Sequence, residues 1–174
     1  GGLWRLMPWT ATLAMTATAA MAGVPLFNGF LSKEMFLTEA VTFAQAGGWR
    51  WAVPALATFA ALCSVAYSVR LVHDIFFNGP ARDLPNAHPH EPPMGMKAPV
   101  ILLAVLCVVV GLLPALTLGP LVRVASTAML GHAPPEFHLA IWHGFNLPLL
   151  LSMLALVGGA NFYFLVNRGY RLHR

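Results

Sequence analysis

The sequence predicts an all-α integral membrane protein, a multispanning helical bundle with one discontinuous transmembrane helix broken at Pro and Gly. Three observations lead there. Of the 174 residues, 58% are hydrophobic and only 9% are charged, with a mean hydropathy of +0.70, whereas soluble domains carry about 25% charged residues. Four segments, at 8–45, 51–77, 97–116 and 145–167, are long enough for a hydrocarbon core of about 30 Å, which takes roughly 20 apolar residues of helix. The first of them is interrupted near its middle by "AGVPLFNGFLSKE", residues 22–34, with a Lys-Glu pair just after the interruption.

The segment at 8–45 is about twice the usual span length and has no polar connector that would divide it into two spans. It is predicted as one broken span. Pro25 lacks an amide hydrogen and clashes with the preceding turn, while Gly23 and Gly29 give the backbone freedom on either side. Asn28 is expected to cap a second half-helix starting near Gly29. The span at 51–77 follows. The stretch 78–96, "NGPARDLPNAHPHEPPMGM", is rich in Pro, Gly and polar residues and is read as an extramembrane loop. After the span at 97–116, residues 120–130 form an amphipathic piece too short to cross, an expected interfacial helix. A last span at 145–167 runs into a basic tail, with "WHGFN" before it as an interfacial Trp anchor.

With 8–45 as one span, Arg5, Arg82, Lys97, Arg168, Arg171 and Arg174 share one side, against Arg50 and Arg123 on the other. The positive-inside rule makes the richer side, and the 78–96 loop with it, cytoplasmic. Cations at segment ends are explained by topology, and they form no stripe suited to nucleic acid. Cys63 and Cys107, each in apolar surroundings, support neither a disulfide framework nor a metal pair. The chain opens on Gly without a signal-peptide pattern, so an internal part of a longer polypeptide is expected.

Lys33 carries the sharpest chemical signal. Counting back from Gln45 at 1.5 Å per residue puts it about 18 Å from that helix end, close to mid-membrane, where a lysine costs about 2.5–3.5 kcal/mol on insertion scales. One reading is a structural pair with a carboxylate on a neighbouring helix. The other is a proton relay, because unwound backbone and half-helix ends at the midplane are how transporters build ion sites. Glu34 points about 100 degrees around the helix from Lys33 and is either a relay residue or a structural ion pair. In "YSVRLVHDIFF" (residues 67–77), Arg70 and Asp74 are spaced for an i, i+4 ion pair, and His73 beside Asp74 has the chemistry to admit protons from the cytoplasm. His88 and His90 flank a proline, and His132, His138 and His143 lack ligand spacing, so neither metal nor cofactor is expected. No Ser-His-Asp arrangement or phosphate-binding loop is present.

The order "GGLWRLMPWT", "AGVPLFNGFLSKE" and "SVAYSVRLVHDIFFNG" closely resembles the proton-translocating membrane subunits related to respiratory complex I. Their G-x-P-x-x-x-G-F-x-S-K pattern falls on Gly23, Pro25, Gly29, Phe30, Ser32 and Lys33. The later stretches "PHEPPMGMKAPVILLAVLCVVVGLLP" and "LAIWHGFNLPLLLSMLALVGG" are more similar to the large A subunit of Mrp-type (Pha-type) monovalent cation/proton antiporters. That resemblance implies a discontinuous helix in the second of two inverted repeats, with its lysine in a proton channel. Residues 1–77 would end that repeat and 97–174 would be the helices that follow, the first repeat lying outside this chain. It further implies a secondary active transporter component, not an enzyme, serving sodium or potassium ion transport and pH homeostasis in the bacterial inner membrane. The expected partners are other membrane subunits, H+, Na+ or K+, and lipid. The alternative is a proton-pumping membrane subunit of a complex I-like or membrane-bound hydrogenase redox complex.

Overall fold

Pro and Gly mark several of the helix ends in this chain. In the computed structural model, residues 2–80, 89–133, 144 and 146–172 are described, with side chains to residue 168. Arg82, His88, His138, His143 and Arg174, and the Arg171 side chain, lie outside the described residues. Helix α1 (Pro8–Ala22) opens with Pro at its first position, where the missing amide costs nothing. Helix α2 (Asn28–Ala44) follows a five-residue break. Helix α3 (Ala52–Val72) continues into a π-helical turn, His73–Phe77. Helix α4 (Met94–Leu112) stops before Pro114, which starts the short α5 (Pro114–Thr117). Helix α6 (Gly119–Leu130) ends on Gly131 at φ 72 and buries no residue, and α7 (Leu147–Leu172) is the last. Among the described residues there is no strand.

Among the described residues, three helices are long and apolar enough to cross a membrane: Gly48–Phe77, Met94–Leu112 and Leu147–Arg168. Helices α1 and α2, of 15 and 17 residues, are each too short for about 30 Å at 1.5 Å per residue. Together they make one crossing. Trp4, just before α1, stacks on Phe77 at 5.6 Å, and Phe43, near the end of α2, meets Trp49 edge-on at 6.3 Å. So α1 starts level with the end of α3, and α2 ends level with its start. The break falls beside Ser64, midway along residues 52–77. The all-α bundle with a discontinuous helix is therefore as the sequence predicts.

The start of α2 differs from expectation. It begins at Asn28 itself, with extended Phe27 in the capping position and no side-chain cap. Asn28 is already helical, so its side chain cannot reach forward as a cap would. Leu26 has φ 78, a conformation that costs a bulky residue about 1–3 kcal/mol and persists because the surroundings leave no alternative. A Cβ on Gly111 of α4 would lie 2.2 Å from the Leu26 carbonyl oxygen, and one on Gly29 would lie 1.8 Å from that of Ala20. Backbone therefore packs on backbone on both sides of the break, as small residues allow in membrane helices. Gly159 of α7 lies likewise against the Leu62 backbone, and against the Val65 side chain, of α3.

The N-terminus of α1 is capped from far away in sequence. Glu91 accepts the Trp9 amide at 2.7 Å and the Thr10 amide at 3.3 Å, and its other oxygen accepts the Thr10 hydroxyl at 2.9 Å. A carboxylate suits the positive end of a helix dipole. Desolvation pushes the Glu91 carboxyl up, but the Thr10 hydroxyl, the two amides and Lys97 outweigh it and hold the carboxyl below its ordinary value.

Two outcomes follow from this packing. Gly29→Ala must displace the α1 backbone, an overpacking cost of about 1–3 kcal/mol, and should lower the melting temperature of the assembled protein, whereas Gly95→Ala, with open space around it, should not; thermal unfolding in detergent compares them. Because folding lowers the Glu91 pKa, its stabilisation is complete above the ordinary carboxylate pKa of about 4.3 and is lost as pH falls through the folded-state value. Exchange of the Trp9 and Thr10 amides, corrected for intrinsic rates, should accelerate over that acidic window in the wild type and show no such window in Glu91→Ala.

Candidate functional site

The site is built from an accounting problem. A helix leaves its last four carbonyls without intrahelical donors, and at mid-membrane no bulk water takes them up. In α1 these belong to Ala19, Ala20, Met21 and Ala22. Gly23, at φ 80 and ψ 40, turns the chain so that its own amide reaches Ala20 at 3.1 Å and the Val24 amide reaches Ala19 at 3.0 Å. This is a Schellman turn, which needs a residue tolerant of left-handed backbone. The remaining two carbonyls accept from Lys33. Its Nζ lies 2.9 Å from both the Met21 and the Ala22 oxygen, and 3.3 Å from Ser64 Oγ on α3. The Ser64 hydroxyl in turn donates to Met21 at 3.3 Å.

The ammonium thus directs its three donors to neutral oxygens, with positive charge at the negative end of the α1 dipole. Gly23 serves twice, because a Cβ there would lie 2.8 Å from Lys33 Cδ. Glu34 is 4% exposed and belongs to a buried stripe with Phe30, Leu37, Val41 and Ala44, spaced alternately by four and three residues. It faces the bundle rather than sharing the oxygens that hold Lys33. Pro25 lies in the unwound turn between the half-helices.

A second polar cluster occupies the α3 end that adjoins α1. Tyr163 of α7 donates its hydroxyl hydrogen to Asp74 Oδ1 at 3.0 Å, and its oxygen lies 2.7 Å from His73 Nδ1. With the phenol hydrogen on the carboxylate, the Tyr163 oxygen is the acceptor for His73, which assigns the ring hydrogen to Nδ1. Arg70 Nε meets Asp74 Oδ2 at 3.4 Å, an i, i+4 pair, and Asn78 adds a bond to Oδ1 at 3.2 Å. The π-helical turn re-aims His73 and Asp74 toward α7, a distortion that concentrates at functional sites. From His73 a groove of about 270 Å³ runs past Val72, Ser68, Thr18 and Ala22 to Val24 at the break. His90 and His132 are exposed and bond to neighbouring backbone carbonyls, and no three His, Cys, Asp or Glu side chains gather among the described residues.

No family model matches the chain. It is 49% identical over 167 residues to the A/B subunit of a probable K+/H+ antiporter of Rhizobium meliloti strain 1021, across 96% of this chain and 17% of that protein. With the A subunit of the Na+/H+ antiporter of Bacillus subtilis strain 168 it shares 31% identity over 178 residues, 97% of this chain and 22% of that protein. A chain in the structure of the Mrp complex from Dietzia sp. DQ12-45-1b superimposes with a TM-score of 0.70 at 34% identity, over 98% of this chain and 18% of that one. The chain belongs to the A subunits of Mrp-type antiporters. It spans about a fifth of the length of these relatives.

Within this chain the break residues Gly23, Pro25, Gly29 and Lys33 come together, and His73 and Asp74 form a separate cluster at the helix end. Tyr163, Ser64 and the carbonyls of Met21 and Ala22 escape a reading of the sequence. Only the i, i+4 spacing of Arg70 and Asp74 is a local signal. Tyr163→Phe should keep the edge-on ring contact with His73, at 5.6 Å, and lose the hydrogen bonds that tie α7 to the π-helical turn. A loss of about 1 kcal/mol is expected, read as faster amide exchange over 73–77 in the assembled complex.

Proposed function

We propose that this chain is a proton-conducting part of a multisubunit Na+(K+)/H+ antiporter in the bacterial inner membrane, with Lys33 as the proton carrier at the broken helix. The observation that carries the reading is the lysine itself: a titratable cation at the break, holding the last two carbonyls of α1. Two opposing contributions set its protonation energy. Carbonyl dipoles favour the ammonium, and removal from bulk water disfavours it. A charge arriving nearby shifts that balance, and on losing a proton the amine has fewer donors for the α1 carbonyls, so protonation and helix-end geometry are linked.

His73, Tyr163 and Asp74 form the cytoplasmic uptake point in this reading, because the imidazole, which can both accept and donate a proton, is joined through the Tyr163 hydroxyl to the Asp74 carboxylate. The groove from His73 to Val24 is mostly apolar, so in this reading water filling it carries the proton inward past the Ser68 and Thr18 hydroxyls. Glu34, on the neighbouring face of α2, is a second relay position. The proposed partners are the other membrane subunits of the antiporter, with H+ and Na+ or K+ as the transported ions, coupled as in secondary active transport.

Cation-induced proton release in everted vesicles carrying the complete complex tests this, with Na+ and K+ added separately. Lys33→Ala in the full-length protein, at matched assembly, should lower antiport about tenfold or more, at least about 1.4 kcal/mol. Gly23→Ala, whose Cβ would lie 2.8 Å from Lys33 Cδ and displace that side chain, should lower antiport although the lysine itself is retained. A normal rate in assembled Lys33→Ala would refute the carrier role.

A further inference from the structure

Among the described residues, the buried serine and threonine hydroxyls follow one habit, with one departure. Thr18 donates to Ala14 at 2.7 Å, Thr58 to Pro54 at 2.7 Å and Ser68 to Ser64 at 2.8 Å, each within its own helix. Ser152 on α7 is as deeply buried, at 6% exposure, yet its hydroxyl makes no hydrogen bond to protein. The carbonyl four residues back, on Pro148, is the acceptor that a helical serine ordinarily uses. Leaving a buried hydroxyl unsatisfied costs about 1–3 kcal/mol, so a partner for it is to be sought in the space it faces.

That space is a small, partly open cavity at the break, lined by Ser152, Lys33, Gly23, Ala22, Ala61 and Ala155 among others. It leaves about 10 Å³ for the centre of a water-sized sphere, close to the minimum of about 10–15 Å³ that holds one water. The same opening is wrong for a transported cation. A sodium or potassium ion there would adjoin the Lys33 ammonium, and like charges a few ångströms apart in a weakly polar interior repel strongly. The cavity also offers too few oxygens to replace a hydration shell.

We propose that this cavity is the binding site of a single structural water, held by the Ser152 hydroxyl against Lys33. The water gives the lysine a hydrogen-bond partner on the α7 side, alongside the α1 carbonyls and Ser64. The lysine's longest bond, 3.3 Å to Ser64, is the one it exchanges most readily for the water. Ser152 is thereby a positioning residue, acting on Lys33 through the water, and its part in transport rests on the reading of Lys33 as the proton carrier. The water site itself does not.

The test uses the complete antiporter complex. A map at a resolution that resolves waters should show density in the wild type within hydrogen-bond distance of Ser152 Oγ, absent in Ser152→Ala. Infrared difference spectra in H2(16)O and H2(18)O should contain an oxygen-isotope-sensitive O–H stretch of a weakly bonded internal water. That band should vanish in Ser152→Ala and persist in Ser68→Ala, whose hydroxyl is already satisfied within α3. Antiport in assembled Ser152→Ala should fall severalfold. A wild-type map with the Ser152 hydroxyl turned onto Pro148 and no density in the cavity would overturn the proposal, as would survival of the band in Ser152→Ala. Normal antiport in Lys33→Ala with the water in place would instead refute the carrier reading and leave the water site standing.

Discussion

The arrangement depends on one interaction, the Lys33 ammonium on the Met21 and Ala22 carbonyls. Two costs meet there and offset each other. A helix that ends inside a bilayer exposes carbonyls that lipid cannot satisfy, and a lysine at the same depth carries a charge that lipid cannot solvate. Placed together, the cation satisfies the carbonyls and the carbonyls solvate the cation. Removing either partner leaves the other unmatched, so the break and the charge are one device rather than two neighbouring features.

Geometry around that device explains the small residues of the bundle. For Lys33 to reach back over the break, α2 must cross close to α1, which Gly29 permits by letting Ala20 approach. The unwound turn must then be covered, and Gly111 brings α4 onto the Leu26 and Phe27 backbone. Helix α3 supplies Ser64 at the same level, and Gly159 brings α7 against Leu62 and Val65 close by. Strain at Leu26, at φ 78, is held in place by this enclosure, as rare backbone conformations generally require.

Much of this is legible in the sequence because it is local. Hydropathy over some 20 residues identifies spans, and Pro25 between Gly23 and Gly29 identifies a break without knowledge of any partner. Lys33 stands out by depth alone. What escapes is the partner of each group. Ser64 is 31 residues from Lys33, Tyr163 is 90 from His73, and Glu91 is 82 from Trp9; such pairings follow from how helices pack, which no local spacing encodes. The π-helical turn at His73–Phe77 is likewise invisible, since its residues suit an ordinary helix equally well. Asn28 lies one position further inside α2 than a capping residue would, the usual uncertainty of helix boundaries.

The choice of lysine at position 33 bears on the proposed function more than its location does. An asparagine or a serine has donors for helix-end carbonyls and carries no charge, so structure alone offers less costly solutions. Arginine would fill the place with more donors, but its guanidinium does not release a proton under protein conditions. Lysine combines three donors on a compact head, matched by three oxygens here, with a proton that a changed environment can remove. A residue that is costly to bury, suited to the helix end, and still able to exchange a proton is what a carrier at this point requires. Simple capping calls for no such combination.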